Sequence, residues 1–131
     1  KKQKITILVA EDHESNYHLI ESILKKDYTL VHAWNGKEAV DLFKEYAPQL
    51  ILMDINMPVM DGYTATRKIR ELERSDAKTV PIIAMTANAF REDAEKCLEA
   101  GMNAHLAKPL DDKKIKLTIS EELRRSNACH E

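Results

Sequence analysis

The sequence predicts an α/β domain, a parallel sheet wound on both faces, and three observations carry that prediction. Apolar runs at 5–10, 50–53 and 82–85 are too continuous for a sheet with one wet face and fit strands buried on both sides. Between them lie stretches whose apolar residues recur at helical spacing. The runs also end in polar groups of a particular kind: Glu11 and Asp12, then Asp54, then Thr86, and after a shorter final run Lys108.

In chain order, Ile5 to Ala10 is apolar except for Thr6 and predicts a central strand with two acids at its carboxyl end. From Glu14 to Lys26, Tyr17, Leu19, Ile20, Ile23 and Leu24 mark an amphipathic helix, with Lys25 and Lys26 in its last turn where they complement the dipole. Tyr28 to Trp34 is rich in β-formers and predicts a second strand. Asn35 with Glu38 three residues on has the form of a capping box. The helix behind it carries Ala39, Val40, Leu42, Phe43 and Tyr46 and leaves at Pro48.

Leu50 to Met53, delivering Asp54 just before Pro58 and Gly62, predicts the central strand and the loop that follows it. A helix is expected over 63–74 with Ile69 and Leu72 inward. Pro81 opens the strand 82–85, which ends at Thr86; Asn88 is placed to cap a helix to about Ala100, and Gly101 stands where a C′ glycine belongs. Ala104 to Ala107 forms the last strand. Asp111 and Asp112 suit the first turn of a closing helix to about Arg124, although 115–119 also alternates as a strand would. The expected division is one domain over 1–125 and a fraying tail over 126–131.

A chain of 131 residues, 44% hydrophobic and 32% charged, can bury a core without disulfide or metal. A net charge of -2 argues against a nucleic-acid surface. No run reaches membrane-spanning length, so neither nucleic acid nor membrane is an expected contact of this domain, and a cytoplasmic setting is expected. Cys97 and Cys129 have no metal-ligand spacing and read as reduced thiols. His13, His18 and His32 show no zinc spacing either, and Trp34 reads as packing at a strand end.

In a parallel sheet the carboxyl ends of all strands share one edge, where ligands collect. Taken singly, Asp54 serves equally well as a helix cap and Lys108 as a solvated charge. Together the strand ends describe a site. Crowded carboxylates repel unless a cation joins them, and a few charged oxygen ligands favour Mg²⁺ over zinc. A lysine and a hydroxyl suit a phosphoryl group, toward which an ionised Asp54 is a nucleophile.

Four stretches carry a family resemblance: Val9-Ala10-Glu11-Asp12-His13-Glu14-Ser15-Asn16, Met53-Asp54-Ile55-Asn56-Met57-Pro58-Val59-Met60-Asp61-Gly62, Pro81-Ile82-Ile83-Ala84-Met85-Thr86-Ala87-Asn88-Ala89 and Gly101-Met102-Asn103-Ala104-His105-Leu106-Ala107-Lys108-Pro109. In this order they resemble the receiver domain of two-component response regulators, most closely receivers of hybrid sensor histidine kinases and phosphorelays. The resemblance implies a flavodoxin-like (βα)5 sheet of order 2-1-3-4-5. It implies that Asp54 accepts a phosphoryl group from a phosphohistidine on a histidine kinase or histidine phosphotransfer domain. Mg²⁺ would be held by Asp12 and Asp54 directly, by Glu11 largely through water, and by the Asn56 backbone carbonyl. Lys108, Thr86 and the Ala87 amide would bind the phosphoryl group, and the Lys108-Pro109 peptide would be cis.

In the family the residue three before the lysine is commonly an aromatic switch partner of Thr86. Here it is His105, which serves either as that partner or as a surface group. Glu11 also departs from the more common Asp. The resemblance implies chemistry on the domain itself, with no kinase catalytic domain in this chain, and a setting that includes the cytoplasmic part of a membrane-bound hybrid kinase. Two other classes use similar parts. A haloacid-dehalogenase-like phosphotransferase has a strand-end Asp nucleophile but wants a second Asp two residues on, where this chain has Asn56. A flavin- or nucleotide-binding module of the same fold would want a phosphate loop after the first strand, where two acids stand instead, and a non-phosphorylated flavodoxin-like interaction module would lack the acceptor or the lysine, whereas Asp54 and Lys108 are both present.

Overall fold

The computed structural model describes residues 5–87, 91–108 and 110–129. Five parallel strands, β1 (Ile5–Ala10), β2 (Tyr28–Ala33), β3 (Leu50–Asp54), β4 (Ile82–Thr86) and β5 (Ala104–Ala107), form one sheet in the order β2-β1-β3-β4-β5. This is the expected flavodoxin-like order. Among the described residues six helices connect and close it: α1 (Glu14–Leu24), α2 (Gly36–Tyr46), α3 (Gly62–Arg70), α4 (Ser75–Thr79), α5 (Arg91–Ala100) and α6 (Asp112–Cys129).

Alternation along the strands sorts the core into two layers. Ile7, Val9, Leu50, Leu52, Ile83 and Met85 face α1 and α6 through Ile20, Leu24, Ile115 and Ile119. Leu8, Ala10, Ile51, Met53, Ile82 and Ala84 face the other way, against Phe43 of α2, Ile69 of α3 and Cys97 of α5. β3 is buried along its whole length, as expected of a strand covered on both faces.

The local signals worked where they specified hydrogen bonds. Asn35 Oδ1 accepts from the Glu38 amide at 2.9 Å, and Glu38 Oε1 accepts from the Trp34 amide at 2.8 Å, one residue before the usual return partner. Gly101 takes φ +107 after α5, the left-handed position a C′ glycine relieves. Asp111 Oδ2 accepts from the Lys114 amide at 3.1 Å at the start of α6.

Several boundaries differ from expectation. The helix expected over 63–74 stops at Arg70, and α4 is a separate short helix. Arg70, the last residue of α3, sends its guanidinium across the chain to Gly101 O (2.8 and 3.0 Å), Ala77 O (3.0 Å) and Asn103 Oδ1 (2.8 Å). Leu72 still packs on the core, from a tighter turn closed by its amide on Ile69 O. α1 ends at Leu24, so Lys25 is its C-cap and Lys26 lies beyond it. Leu19 and Tyr46 are exposed rather than packed inward, while Trp34, just past the end of β2, packs its ring against His32 as expected although it is also exposed. α6 runs through Cys129, past the expected fraying point at Ser126, because no Gly or Pro interrupts 112–129. Within it Ile115 and Ile119 are buried and Leu117 is exposed, which is helical spacing. The expected Asn88 cap and the cis Lys108-Pro109 peptide lie outside the described residues.

Candidate phosphoryl and metal site

The site stands at the carboxyl edge of the sheet, where β1, β3, β4 and β5 end side by side. Glu11 follows β1 and is fully buried; Asp54 ends β3 at 4% exposure. Lys108 follows β5 and is carried there by its amide on Thr86 O at 2.8 Å. Its Nζ lies 3.1 Å from Asp54 Oδ2 and 3.2 Å from Glu11 Oε1, so one ammonium meets two buried carboxylates.

The charges are perturbed accordingly. Burial, reinforced by the Glu11 charge, pushes the Asp54 carboxyl up to about 6 against the pull of Lys108. Burial works on Glu11 in the same sense, but the His13 amide and Lys108 outweigh it and hold Glu11 below its ordinary value. Lys108 is raised: burial opposes its charge, and Asp54 and Glu11 overcome that opposition.

Asp12 turns to the other side of Glu11. Its Oδ1 is 3.2 Å from His13 Nδ1, and Glu11 Oε2 accepts from the His13 amide at 3.1 Å. Among the described residues Glu11, Asp12 and His13 form the group whose donor atoms all lie within 4.8 Å of one another; Asp54 stands outside it, on Lys108. Glu11 is thus the member common to both groupings, with Asp12 and His13 on one side and with Asp54 through Lys108 on the other. His13 is the member that zinc spacing does not reveal: its signal in the sequence is an imidazole directly following two strand-end acids.

The loop after β3 is folded back tightly. Gly62 donates its amide to Ile55 O at 2.8 Å, and a Cβ on it would fall 2.2 Å from the Asp54 carbonyl oxygen, so only glycine lets α3 start this close to the acceptor strand. Asn56, exposed at the turn, directs its amide toward Asp54 Oδ1 at 3.4 Å. Thr86 is buried at the end of β4, and Ala87 after it is exposed. His105 is exposed on β5, beside a groove that Leu106, Lys114 and Leu117 help to line. A cleft of about 370 Å³ lies at the opposite edge of the sheet among Ile5, Pro48, Val80 and Leu123 and contains none of these residues.

Sequence comparison matches residues 7–120 to the response regulator receiver domain. The chain belongs to that family. The receiver is 38% identical over 123 residues to hybrid signal transduction histidine kinase I of Dictyostelium discoideum, covering 89% of this chain and 7% of that protein. It is 38% identical over 124 residues to the sensor histidine kinase RcsC of Escherichia coli K12, covering 92% of this chain and 13% of the kinase. It thus spans a small part of each of these relatives. Among solved structures it is similar to the receiver of a Pseudomonas aeruginosa sensor histidine kinase with magnesium coordinated in the active-site cleft, at TM-score 0.84 and 39% identity over 92% of this chain and 98% of that one. It is also similar to the receiver of a Saccharomyces cerevisiae response regulator, co-crystallised with its histidine phosphotransfer protein, at TM-score 0.81 and 32% identity over 90% of this chain and 88% of that one. The fold, the family and a place in phosphorelay signalling follow. No helix among the described residues is long and apolar enough to cross a membrane.

The residues fit a hard divalent cation. Glu11 Oε1 and Asp12 Oδ1 are buried and, beyond their ion-pair contacts to Lys108 and His13, are left without a hydrogen bond, and most of the donors at this edge are carboxylate oxygens.

Proposed function

We propose that this receiver accepts a phosphoryl group on Asp54 from the phosphohistidine of a histidine kinase or histidine phosphotransfer domain. The observation that carries the reading is the Lys108 ammonium, 3.1 Å from Asp54 Oδ2 at a buried strand end. An Asp54 oxygen attacks phosphorus, the P–N bond to the donor imidazole breaks, and the P–O bond of an acyl phosphate forms. Lys108 lies where it can exchange its carboxylate contact for one to a phosphoryl oxygen, and Thr86 with the Ala87 amide lies at the neighbouring strand end. Asn56, in the position where a phosphatase of this chemistry would carry its acid, has no acidic proton to donate, which favours a lasting phosphoprotein over turnover.

Asp12 and Asp54, Glu11 through water and the Asn56 carbonyl would hold Mg²⁺, with His13 at the rim. The ion supplies neutralisation of the charge on the phosphoryl oxygens during transfer. His105 faces the groove beside α6 and is the residue through which a change at Thr86 would reach that surface. As part of a longer kinase, the domain would work on its cytoplasmic side.

The test is incubation with Mg²⁺ and acetyl phosphate, followed by mass spectrometry. A base-labile adduct of one phosphoryl group on Asp54, absent with chelator and in Asp54→Asn, is expected. Equal labelling of Asp54→Asn would overturn the assignment.

A further inference from the structure

Both backbone polar groups of Glu11 are tied to β2. Its amide donates to Ala33 O at 3.0 Å, which extends the β1·β2 ladder by one residue. Its carbonyl is reached at 2.8 Å by His32 Nε2. A carbonyl oxygen only accepts, so Nε2 carries the proton in this contact. The His32 ring is itself held: it stacks on Tyr17 of α1 at a centroid distance of 3.7 Å with planes 1° apart, and Trp34 lies 4.2 Å away at 41°. Two aromatic neighbours, one on α1 and one just past β2, therefore hold a ring whose polar contact among the described residues is the peptide between Glu11 and Asp12.

We infer that His32 is a positioning residue for the metal-carrying turn, orienting the Glu11-Asp12 peptide from which both acids project. The inference rests on the Mg²⁺ reading of the site given above. Glu11 and Asp12 precede the first residue of α1 by two and more positions and have no helix of their own to fix them. With the amide bonded to Ala33 and the carbonyl to His32, the peptide plane beyond Glu11 cannot rotate without breaking a bond. A partner that orients a metal-carrying element is typically worth 10–100-fold in metal affinity. Tyr17 and Trp34, which a function confined to the strand ends leaves unexplained, act by limiting the ring to one orientation.

Two replacements separate donation from packing. His32→Phe keeps a flat ring between Tyr17 and Trp34 and removes the donor; His32→Gln removes the ring and keeps an amide donor of similar reach. Mg²⁺ affinity is read from backbone amide shifts of residues 11–13 and 54–56 during titration, and folding from urea unfolding in chelator. Phe is expected to weaken Mg²⁺ about 10-fold, with Gln recovering most of the loss. Unchanged Mg²⁺ affinity in His32→Phe would overturn the inference while leaving the phosphoacceptor reading intact. So would equal weakening in both variants accompanied by equal loss of urea resistance, which marks His32 as packing alone. Absence of any Mg²⁺-dependent shift in the wild type would overturn the metal reading itself, and the inference with it.

Discussion

Lys108 Nζ is 3.1 Å from Asp54 Oδ2, yet the Asp54 carboxyl is raised rather than lowered, to about 6. Proximity of a cation normally lowers a carboxyl. The reversal arises because the pocket is buried and because the neighbouring Glu11 adds its own charge, against which the shared Lys108 does not prevail. Two carboxylates against one ammonium leave a net negative charge that the protein alone does not balance.

The first prediction follows from that imbalance. The folded value of about 6 lies above the ordinary 3.8, so between those pH values the folded state binds more protons than the unfolded one. Stability is then highest below the ordinary value and falls as pH rises through about 6. A shift of this size corresponds to about 2–3 kcal/mol at neutral pH. Asp54→Asn should be more stable than wild type in chelator at pH 7, by about 1–2 kcal/mol after the loss of the Lys108 contact. Its advantage should shrink toward pH 4. Urea unfolding at both pH values checks this, and a mutant clearly weaker than wild type at pH 7 would mean that Asp54 is a structural hydrogen-bonding group.

Lys108→Ala should act in the opposite direction. It leaves Glu11 and Asp54 buried together with no cation, and removing one partner of such a group costs about 3 kcal/mol. The residual exposure of Lys108 makes that an upper figure. Chelator should expose the defect in urea unfolding and Mg²⁺ should repair most of it, because the acids that bind the ion remain. Phosphorylation-dependent changes in hydrogen exchange at β5 should be lost. A variant as stable as wild type in chelator would show that the shared ion pair contributes nothing.

The fold was legible in the sequence because the three central strands, β1, β3 and β4, are buried on both faces and so read as nearly unbroken apolar runs, while the edge strands β2 and β5 are only partly covered. Leu50 to Met53 needed no alternation to be recognised, and the acids and lysine at the run ends located the site edge. The ties from Arg70 to Gly101 and Asn103 were not legible: those residues are more than thirty positions away, and nothing near Arg70 announces them. The pairing within the site was hidden for the same reason. Sequence placed Glu11, Asp12, Asp54 and Lys108 on one edge, but only three-dimensional geometry distributes Lys108 to Glu11 and Asp54 and leaves Asp12 with His13. His32 was read as one of several scattered histidines because the strand pairing that brings it to Glu11 is not a local property.

Gly62→Ala should damage the site from outside it. The added Cβ would stand 2.2 Å from the Asp54 carbonyl oxygen, a backbone atom that cannot move aside cheaply. Either α3 retreats or the end of β3 shifts, at a cost of about 2 kcal/mol or more. Slower labelling by acetyl phosphate should accompany the lower urea midpoint and persist under conditions where the variant is fully folded. Wild-type values for both would show that the loop after β3 adapts freely.

Magnesium should couple to stability through the same acids. A ligand that binds only the folded state stabilises it by RT ln(1 + [L]/Kd), which is about 1.4 kcal/mol at ten times Kd. Wild type should gain this much and Asp54→Asn less, since one charged ligand is gone while Glu11 and Asp12 remain. The two proteins should therefore converge as Mg²⁺ rises from chelator to saturation, the mutant's initial advantage being consumed by the wild type's stronger binding. Urea midpoints measured across a Mg²⁺ series report this directly. Parallel curves, with the mutant gaining as much as wild type, would remove Asp54 from the metal site and leave the ion to Glu11, Asp12 and His13 alone.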